Sequence, residues 1–476
     1  ARAKLKRLYR TAAPGDDVHV VFLGRPYTVL SDAMNKQIPH FFQTLGVRTF
    51  YQDMLSYTPS DVAAIRPLLD DVHWYYAARI LEAAEVTADT EGAYPVLVTS
   101  FKCAPDSFVM EYVKKILEAR NKPYLVLQLD EHDSRVGYET RIEAAVRAFR
   151  NHHGRPSAPA APPSMFRSAN VDELNRKTVL FPNWDNLSLR LVMATLRRDG
   201  IDARVLEETD TSIQNSLRTN SGQCIPLNII TQEYIDYIES RRLDPARCIL
   251  WLPYAAISCN IKLYPAFARE LLDAYGNGLE AAGVYVGSIF FDDISLRLST
   301  DVYLAYMIGG MLRKIGCRIR PYERQAGETD RRLDAGAAEL ERAIAEGRPL
   351  EAAIADVVDT FRRIETVDIR PNRPKVAIFG DLYARDNRVF NQELIRFIEA
   401  HGGEVIPTPY SEYMKMIAAS YFRKWFFEGQ VFNSIMVKAL YTAARVQETK
   451  FYRPFGEFLG EPLPTYDDAP QKIWPA

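Results

Sequence analysis

Three stretches of the chain share one order of apolar and polar positions. The first runs Val18-His-Val-Val-Phe-Leu-Gly24, then a polar loop, a helix-like stretch to Leu45, Gly46, and a second apolar run from Val47 to Tyr51. The second is Thr178-Val-Leu-Phe-Pro182, a helical stretch through Met193 and Leu196, Gly200, and a strand from Asp202 to Leu206. The third is Lys375-Val-Ala-Ile-Phe-Gly380, a helix through Leu394 and Ile398, Gly402-Gly403, and a strand from Glu404 to Pro407. A short β-branched run without alternation suits a strand covered on both faces, and apolar residues at i, i+3, i+4 suit a helix laid against it. Strand, helix, glycine stop and strand make the opening β-α-β of a doubly wound parallel sheet. The pattern therefore predicts an α/β protein built of repeated doubly wound, Rossmann- or flavodoxin-like parallel-sheet domains with helical insertions.

Composition marks the boundaries between these repeats. Arg155-Pro-Ser-Ala-Pro-Ala-Ala-Pro-Pro-Ser164 reads as an extended linker. From Arg331 to Ile364 the chain is rich in alanine, glutamate and arginine. Leu333, Leu340 and Ile344, then Ile354, Val358 and Phe361, recur at helical spacing and predict two helices broken at Gly347-Arg-Pro349. The expected organisation is a first α/β domain over 1–150 carrying Cys103, a linker over 151–177, a second α/β domain over 178–325 carrying Cys224 and Cys259, a helical connector over 326–372, and a third α/β unit over 373–476. The aromatic stretch from Tyr421 through Trp425 to Phe432 reads as packing helices of that third unit. The unit is short of strands, as in a fragment of a longer protein.

Charge narrows the function classes. In 476 residues, 59 lysines and arginines face 61 aspartates and glutamates, a formal charge of −2. That balance speaks against a nucleic-acid binder held by phosphate electrostatics. No apolar run reaches the ~20 residues of a membrane span, and no apolar signal core follows the basic start. A cytoplasmic protein is expected. Five cysteines, an odd number without a Cys-x-x-Cys pair, support neither a disulfide scaffold nor a zinc ribbon.

In open parallel sheets, ligands gather beyond the carboxyl ends of the strands, and this rule sorts the cysteines. Cys103 ends the strand-like run from Pro95, and Ala104-Pro105-Asp106 then opens a helix. Cys259 stands in the same way after Ile249-Leu-Trp-Leu-Pro-Tyr254. Cys224 follows Ser221-Gly-Gln in a glycine turn at a helix start, where amide donors favour a thiolate. Cys248 and Cys317 are expected at the amino ends of strands, as small buried hydrophobes. Three thiolates with one open position suit a [4Fe–4S] cluster whose fourth iron takes water, substrate or a bridging sulfide, and equally a catalytic zinc.

Phe101-Lys-Cys103-Ala-Pro-Asp106-Ser-Phe108, with Pro123-Tyr-Leu-Val-Leu-Gln-Leu-Asp130-Glu131-His132 and Thr140-Arg141-Ile-Glu143, resembles the 2-hydroxyacyl-CoA dehydratase / benzoyl-CoA reductase superfamily. More narrowly, it is similar to the dehydratase-like part of CoA-enzyme activase-related proteins, whose relatives include double-cubane cluster proteins. Gly24-Arg25-Pro26-Tyr27 with Asn35, Gly222-Gln-Cys224-Ile-Pro226, the Pro253–Cys259 segment, and Gly380-Asp381-Leu-Tyr383 with Asn391 extend the match over most of the chain. The resemblance implies an iron–sulfur protein, with Cys103, Cys224 and Cys259 holding a [4Fe–4S] cluster or a bridged double cubane. It also implies a homodimer or pseudo-dimer, and a separate or fused ATP-hydrolysing iron–sulfur activator that drives low-potential reduction or dehydration of an acyl-CoA or other small substrate. Three features depart from the pattern. Cys259 sits in Ala-Ile-Ser-Cys-Asn-Ile-Lys where a Gly-Pro-Cys-Arg turn is expected, Asp381 replaces a more usual glutamate, and no Gly-x-x-x-x-Gly-Lys-Ser/Thr loop is present to hydrolyse ATP.

Around this centre, Glu131 and His132 follow a strand and are candidates for acid–base work, since histidine titrates near neutrality. Arg25 and Tyr27, in the first β-α loop, are candidates for holding an anionic substrate group such as a CoA phosphate. Arg141 and Glu143 read as a structural ion pair, and His152-His153 as an exposed pair. Two competing readings remain: a related protein that uses the same cleft for zinc, and a cluster-free α/β scaffold that docks an ATPase activator or acyl-CoA enzyme through its α/β units.

Overall fold

The computed structural model describes residues 2–12, 17–72, 74–100, 104–129, 135–155, 167–218, 224–254, 260–288, 291–367, 373–427, 429 and 431–465. The chain divides into two compact units. One comprises Ala1–Arg167, Thr219–Asn228 and Ala255–Phe267, and the other Ser168–Arg218, Ile229–Tyr254 and Ala268–Ala476.

The first unit is built on β1 (His19–Leu23), β2 (Arg48–Tyr51), β3 (Ala93–Ser100) and β4 (Leu125–Leu129), all parallel in the order β2-β1-β3-β4. Every residue of β1 and β3 is buried, which is why neither run alternates in polarity. Val20 and Phe22 of β1, with Tyr94, Val96 and Val98 of β3, turn to the face covered by the helices Ile38–Thr44 and Arg135–His152. Phe41, Phe42, Ile142 and Phe149 of those helices complete that core. The helix Tyr75–Asp89 packs on β1 and β3 and against the helix Ala104–Glu118. Gly24 leaves β1 at φ +152°, and a Cβ there would stand 2.5 Å from the Val98 carbonyl oxygen, so only glycine lets the two backbones approach.

The second unit repeats the plan with β5 (Thr178–Phe181), β6 (Ala203–Val205), β7 (Cys248–Tyr254) and β8 (Gly283–Ser288), parallel in the order β6-β5-β7-β8. Trp251 stacks on Phe291 at 5.2 Å and lies beside Phe181 in its core. The helices Asn186–Arg198 and Leu296–Ile319 cross closely because Gly309 abuts the Ser188 backbone. The third repeat belongs to this unit as a two-stranded parallel sheet, β9 (Lys375–Ala377) and β10 (Glu404–Ile406). The helices Glu328–Glu346 and Leu350–Arg362 are interrupted at Gly347-Arg-Pro349, as the spacing predicts. The two four-stranded parallel sheets with their interleaved helices make this a doubly wound α/β protein. No helix among the described residues is long and apolar enough to cross a membrane.

Three local expectations are corrected. Cys317 does not begin a strand but lies inside the helix Leu296–Ile319. Cys-Arg-Ile-Arg alternates like a strand, yet Ile308, Leu312, Ile315 and Ile319 set a helical stripe that continues through it, and that stripe is buried. Arg141 donates to the Val126 carbonyl at 2.7 Å, since residues two apart on a helix face different ways. His152 is half-buried, with its Nδ1 3.0 Å from the Tyr94 hydroxyl, and is therefore not an exposed residue.

Candidate functional site

In the first unit β1 connects to β2 on one side and is flanked by β3 on the other, a switch point of the kind beyond whose strand ends such folds bind ligands. Arg25 and Asp106 meet there, with Nε 2.8 Å from Oδ1. Asp106 lies in the first turn of the helix Ala104–Glu118, where a carboxylate is favoured by the helix dipole. Burial nonetheless pushes its pKa upward, opposed by Arg25 and by the Thr99 hydroxyl. Arg25 also donates to the Tyr27 hydroxyl at 3.2 Å, and the Tyr27 ring is half exposed. The guanidinium expected to meet an anionic substrate is thus held by a carboxylate of the chain. An incoming phosphate would compete with Asp106.

Cys103 and Cys259 lie outside the described residues, as do Glu131 and His132. Cys224 is described. Its carbonyl accepts from the Leu227 and Asn228 amides at the start of the helix Ile225–Ser240, and its Sγ is 3.0 Å from the Tyr264 hydroxyl. Tyr264, five residues after Cys259, opens the helix Tyr264–Tyr275. Its ring stacks with Phe108, five residues after Cys103, at 6.0 Å between centroids, and Phe108 meets Phe267 edge-on at 4.9 Å. The helix that follows Cys103 also packs on the short 3-10 helix Asn260–Leu263 that follows Cys259. All these groups belong to the first unit. The sequence carried a weak signal for this junction, namely that an aromatic residue stands five positions after each of the two cysteines.

The other two described cysteines have different surroundings. Cys248 begins β7 and Cys317 is inside its helix, each 1% exposed, and burial pushes both thiols up to about 11. At neutral pH both are overwhelmingly protonated, which suits neither a metal ligand nor a nucleophile. Among the described residues, no group of three or more His, Cys, Asp or Glu side chains is placed to hold a metal ion.

The second unit contains a feature that the sequence reading missed. At the carboxyl ends of β5 and β6 lies a cleft of about 540 Å³, lined by Asn183 and Asp185 from the loop after β5, Glu208 from the loop after β6, and Asp386 and Asn387 from the segment after β9. Arg313 reaches the cleft from the helix Leu296–Ile319 and joins Asp185 at 2.6 Å to Asp386 at 2.7 Å. Asn387 Nδ2 donates to the Asn183 carbonyl at 2.8 Å, a second tie between the same two segments. Asp381 caps the helix Leu382–Asp386 by accepting from the Tyr383 and Ala384 amides, and Tyr383 then donates to Glu233 at 3.1 Å. The Gly380-Asp381-Leu-Tyr383 motif therefore opens the helix through which the third repeat reaches Glu233 of the helix Ile225–Ser240.

Comparison with protein-family models, curated proteins and solved structures finds no match for this chain. The fold defines a doubly wound α/β protein, and function must be argued from its own residues.

Proposed function

We propose that this chain is an iron–sulfur protein of the 2-hydroxyacyl-CoA dehydratase type. On this reading Cys103, Cys224 and Cys259 hold a [4Fe–4S]-type or double-cubane cluster, and a separate or fused ATP-hydrolysing activator supplies electrons for low-potential reduction or dehydration of an acyl-CoA or other small substrate. The observation that carries the reading is the junction at Tyr264. The Cys224 thiol and the aromatic residues that follow Cys103 and Cys259 meet on that one ring within one unit. Cys224 fits a ligand role, because it is partly accessible and precedes a 16-residue helix whose amino end favours a thiolate. When bound, such a cluster supplies one-electron chemistry at an iron with an open coordination position.

The chain's own residues have separable roles in this scheme. Phe108, Tyr264 and Phe267 exclude water from the flank of Cys224, and the Tyr264 hydroxyl is placed to donate to a thiolate there. A donor to sulfur raises the reduction potential, whereas an apolar wall lowers it. Arg25 and Tyr27 orient the anionic part of the substrate, with Asp106 holding the guanidinium in place. Glu131 and His132 are assigned proton transfer by their position in the sequence.

Anaerobic purification followed by iron and acid-labile sulfide assays tests the proposal. Roughly four or more irons per chain are expected. Cys103→Ala, Cys224→Ala and Cys259→Ala should each strip the iron, whereas Cys317→Ala should leave it unchanged. Stoichiometric zinc would point to the zinc-binding relative. No metal at all, or equal losses in all four variants, would overturn the proposal.

A further inference from the structure

Two carboxyl groups of the second unit combine solvent-shielded oxygens that have no hydrogen-bond partner with the lack of any ion pair among the described residues. Glu208 lines the 540 Å³ cleft, Glu233 lines a neighbouring hollow of about 370 Å³, and Glu207 borders both. The other carboxylates along the cleft are each ion-paired. Asp185 and Asp386 share Arg313, Asp330 takes Arg320 and Arg396, and Asp334 takes Arg190. Glu393 takes Arg388, and Glu207 itself meets Arg241 at 3.3 Å. Glu208 has neither an ion pair nor a formed hydrogen bond, although both its oxygens are shielded from solvent. Glu233 is 1% exposed. Its Oε1 accepts from Tyr383, while its Oε2, equally buried, is left with no partner.

These groups are neighbours. Tyr383, which serves Glu233, also flanks Glu208 together with Asn387, and the two favour Glu208 ionisation without completing a hydrogen bond to it. Burial outweighs them and pushes Glu208 up to about 7, with Asp210 adding to the rise. Burial pushes Glu233 well above the carboxylate range, and the charges of Glu208 and Asp236 push the same way. Left alone, such a pair keeps a proton at neutral pH. A cation bringing several hydrogen-bond donors would satisfy it better.

We propose that Glu208 and Glu233 form a binding site for the ammonium group of an aliphatic amine, which enters through the cleft. An ammonium offers three donors and no acceptor. The open atoms here, both Glu208 oxygens and Glu233 Oε2, are three oxygens with no partner among the described residues. A divalent metal ion is the poorer match, since it requires a larger set of ligating groups than the described residues gather. The hollow beside Glu233 adds the Thr209 and Ser212 hydroxyls and Asp236, room and polarity for the far end of a short diamine. This site is independent of the cysteines, and its test involves no iron.

The experiment is isothermal titration calorimetry of the full chain with 1,4-diaminobutane at pH 6 and pH 8, each in two buffers of different ionisation enthalpy, with 1,4-butanediol as the uncharged control. Saturable binding at one site per chain is expected, about tenfold tighter at pH 8 than at pH 6 for an acid titrating near 7, with close to one proton released per amine at pH 6. Glu208→Gln should weaken binding at least about tenfold and remove its pH dependence. Glu233→Gln, the second variant, should weaken binding to a similar extent but keep the pH dependence, because Glu208 still titrates. Absence of saturable binding, equal binding of the diol, unchanged affinity in both variants, or displacement of the diamine by millimolar Mg²⁺ or Mn²⁺ would each overturn the assignment.

Discussion

Replacing Arg313 by methionine keeps a long apolar stem in the second unit and removes the cation that bridges two buried carboxylates. The guanidinium stands 2.6 Å from Asp185 and 2.7 Å from Asp386, with side-chain exposures of 11%, 1% and 4%. Without it, Asp185 keeps only the Ser188 hydroxyl at 2.6 Å, while Asp386 keeps its pairing with Arg385. Breaking a buried ion pair by removing one partner costs about 3–5 kcal/mol, because a desolvated charge is left behind. Since Asp386 retains a partner, the lower end applies, about 3 kcal/mol. For a unit larger than 200 residues this corresponds to a fall of about 6 °C in Tm. Far-UV circular dichroism during heating, at fixed pH and protein concentration, reads the change in the transition that belongs to the second unit. Adding Asp185→Asn to Arg313→Met should restore part of the loss, because the orphaned charge goes with it. The reasoning fails if Arg313→Met lies within about 1 kcal/mol of the parent, or if the double variant is no more stable than the single one. In either case the loop after β5 and the segment after β9 would be held together by Asn387 and packing rather than by charge.

Two further outcomes can be measured on the same protein. The folded-state pKa of Glu208 is raised, so the folded chain holds a proton that the unfolded chain has released; stability should therefore fall as pH rises from about 4.5 to about 7 and then level off for this group. Glu208→Gln should flatten that slope in urea unfolding and gain about 1–2 kcal/mol at pH 8, a value reduced for its partial exposure. Identical slopes in parent and variant would count against the buried pair. Under native anaerobic conditions at pH 8 with metal removed, iodoacetamide should modify Cys224 before Cys248 and Cys317. Cys248 and Cys317, buried and with thiols pushed up to about 11, should react far more slowly, as read by mass spectrometry of the digested protein. Comparable labelling of Cys317 would show that the helix Leu296–Ile319 opens readily.

What the sequence made legible is what periodicity encodes. The runs from Val18, Thr178 and Lys375 each became the first strand of a parallel pairing, and the break at Gly347-Arg-Pro349 fell between two helices. Periodicity misled only where two periods coincide, as at Cys317, whose alternating neighbours also fit a helical stripe; the buried length of that stripe decided the matter.

The rule that ligands gather beyond strand ends directed attention to Arg25 and the residues after β3, and Arg25 does meet Asp106 of the helix that follows β3, 81 residues away in sequence. It gave no indication that Asp106 neutralises Arg25. Residue type alone carries no information about which charges find a partner. Glu208, Glu233 and Tyr383 illustrate the point: 150 residues separate the last two, neither glutamate belongs to a motif, and their chemistry arises from burial without a cation once the segment after β9 folds onto β5 and β6. Within one wall of one cleft, Asp185 and Asp386 are structural because Arg313 answers them, whereas Glu208 is chemically open because no side chain among the described residues does. That difference depends on three-dimensional pairing, and it separates a candidate site from a well-paired surface in this fold.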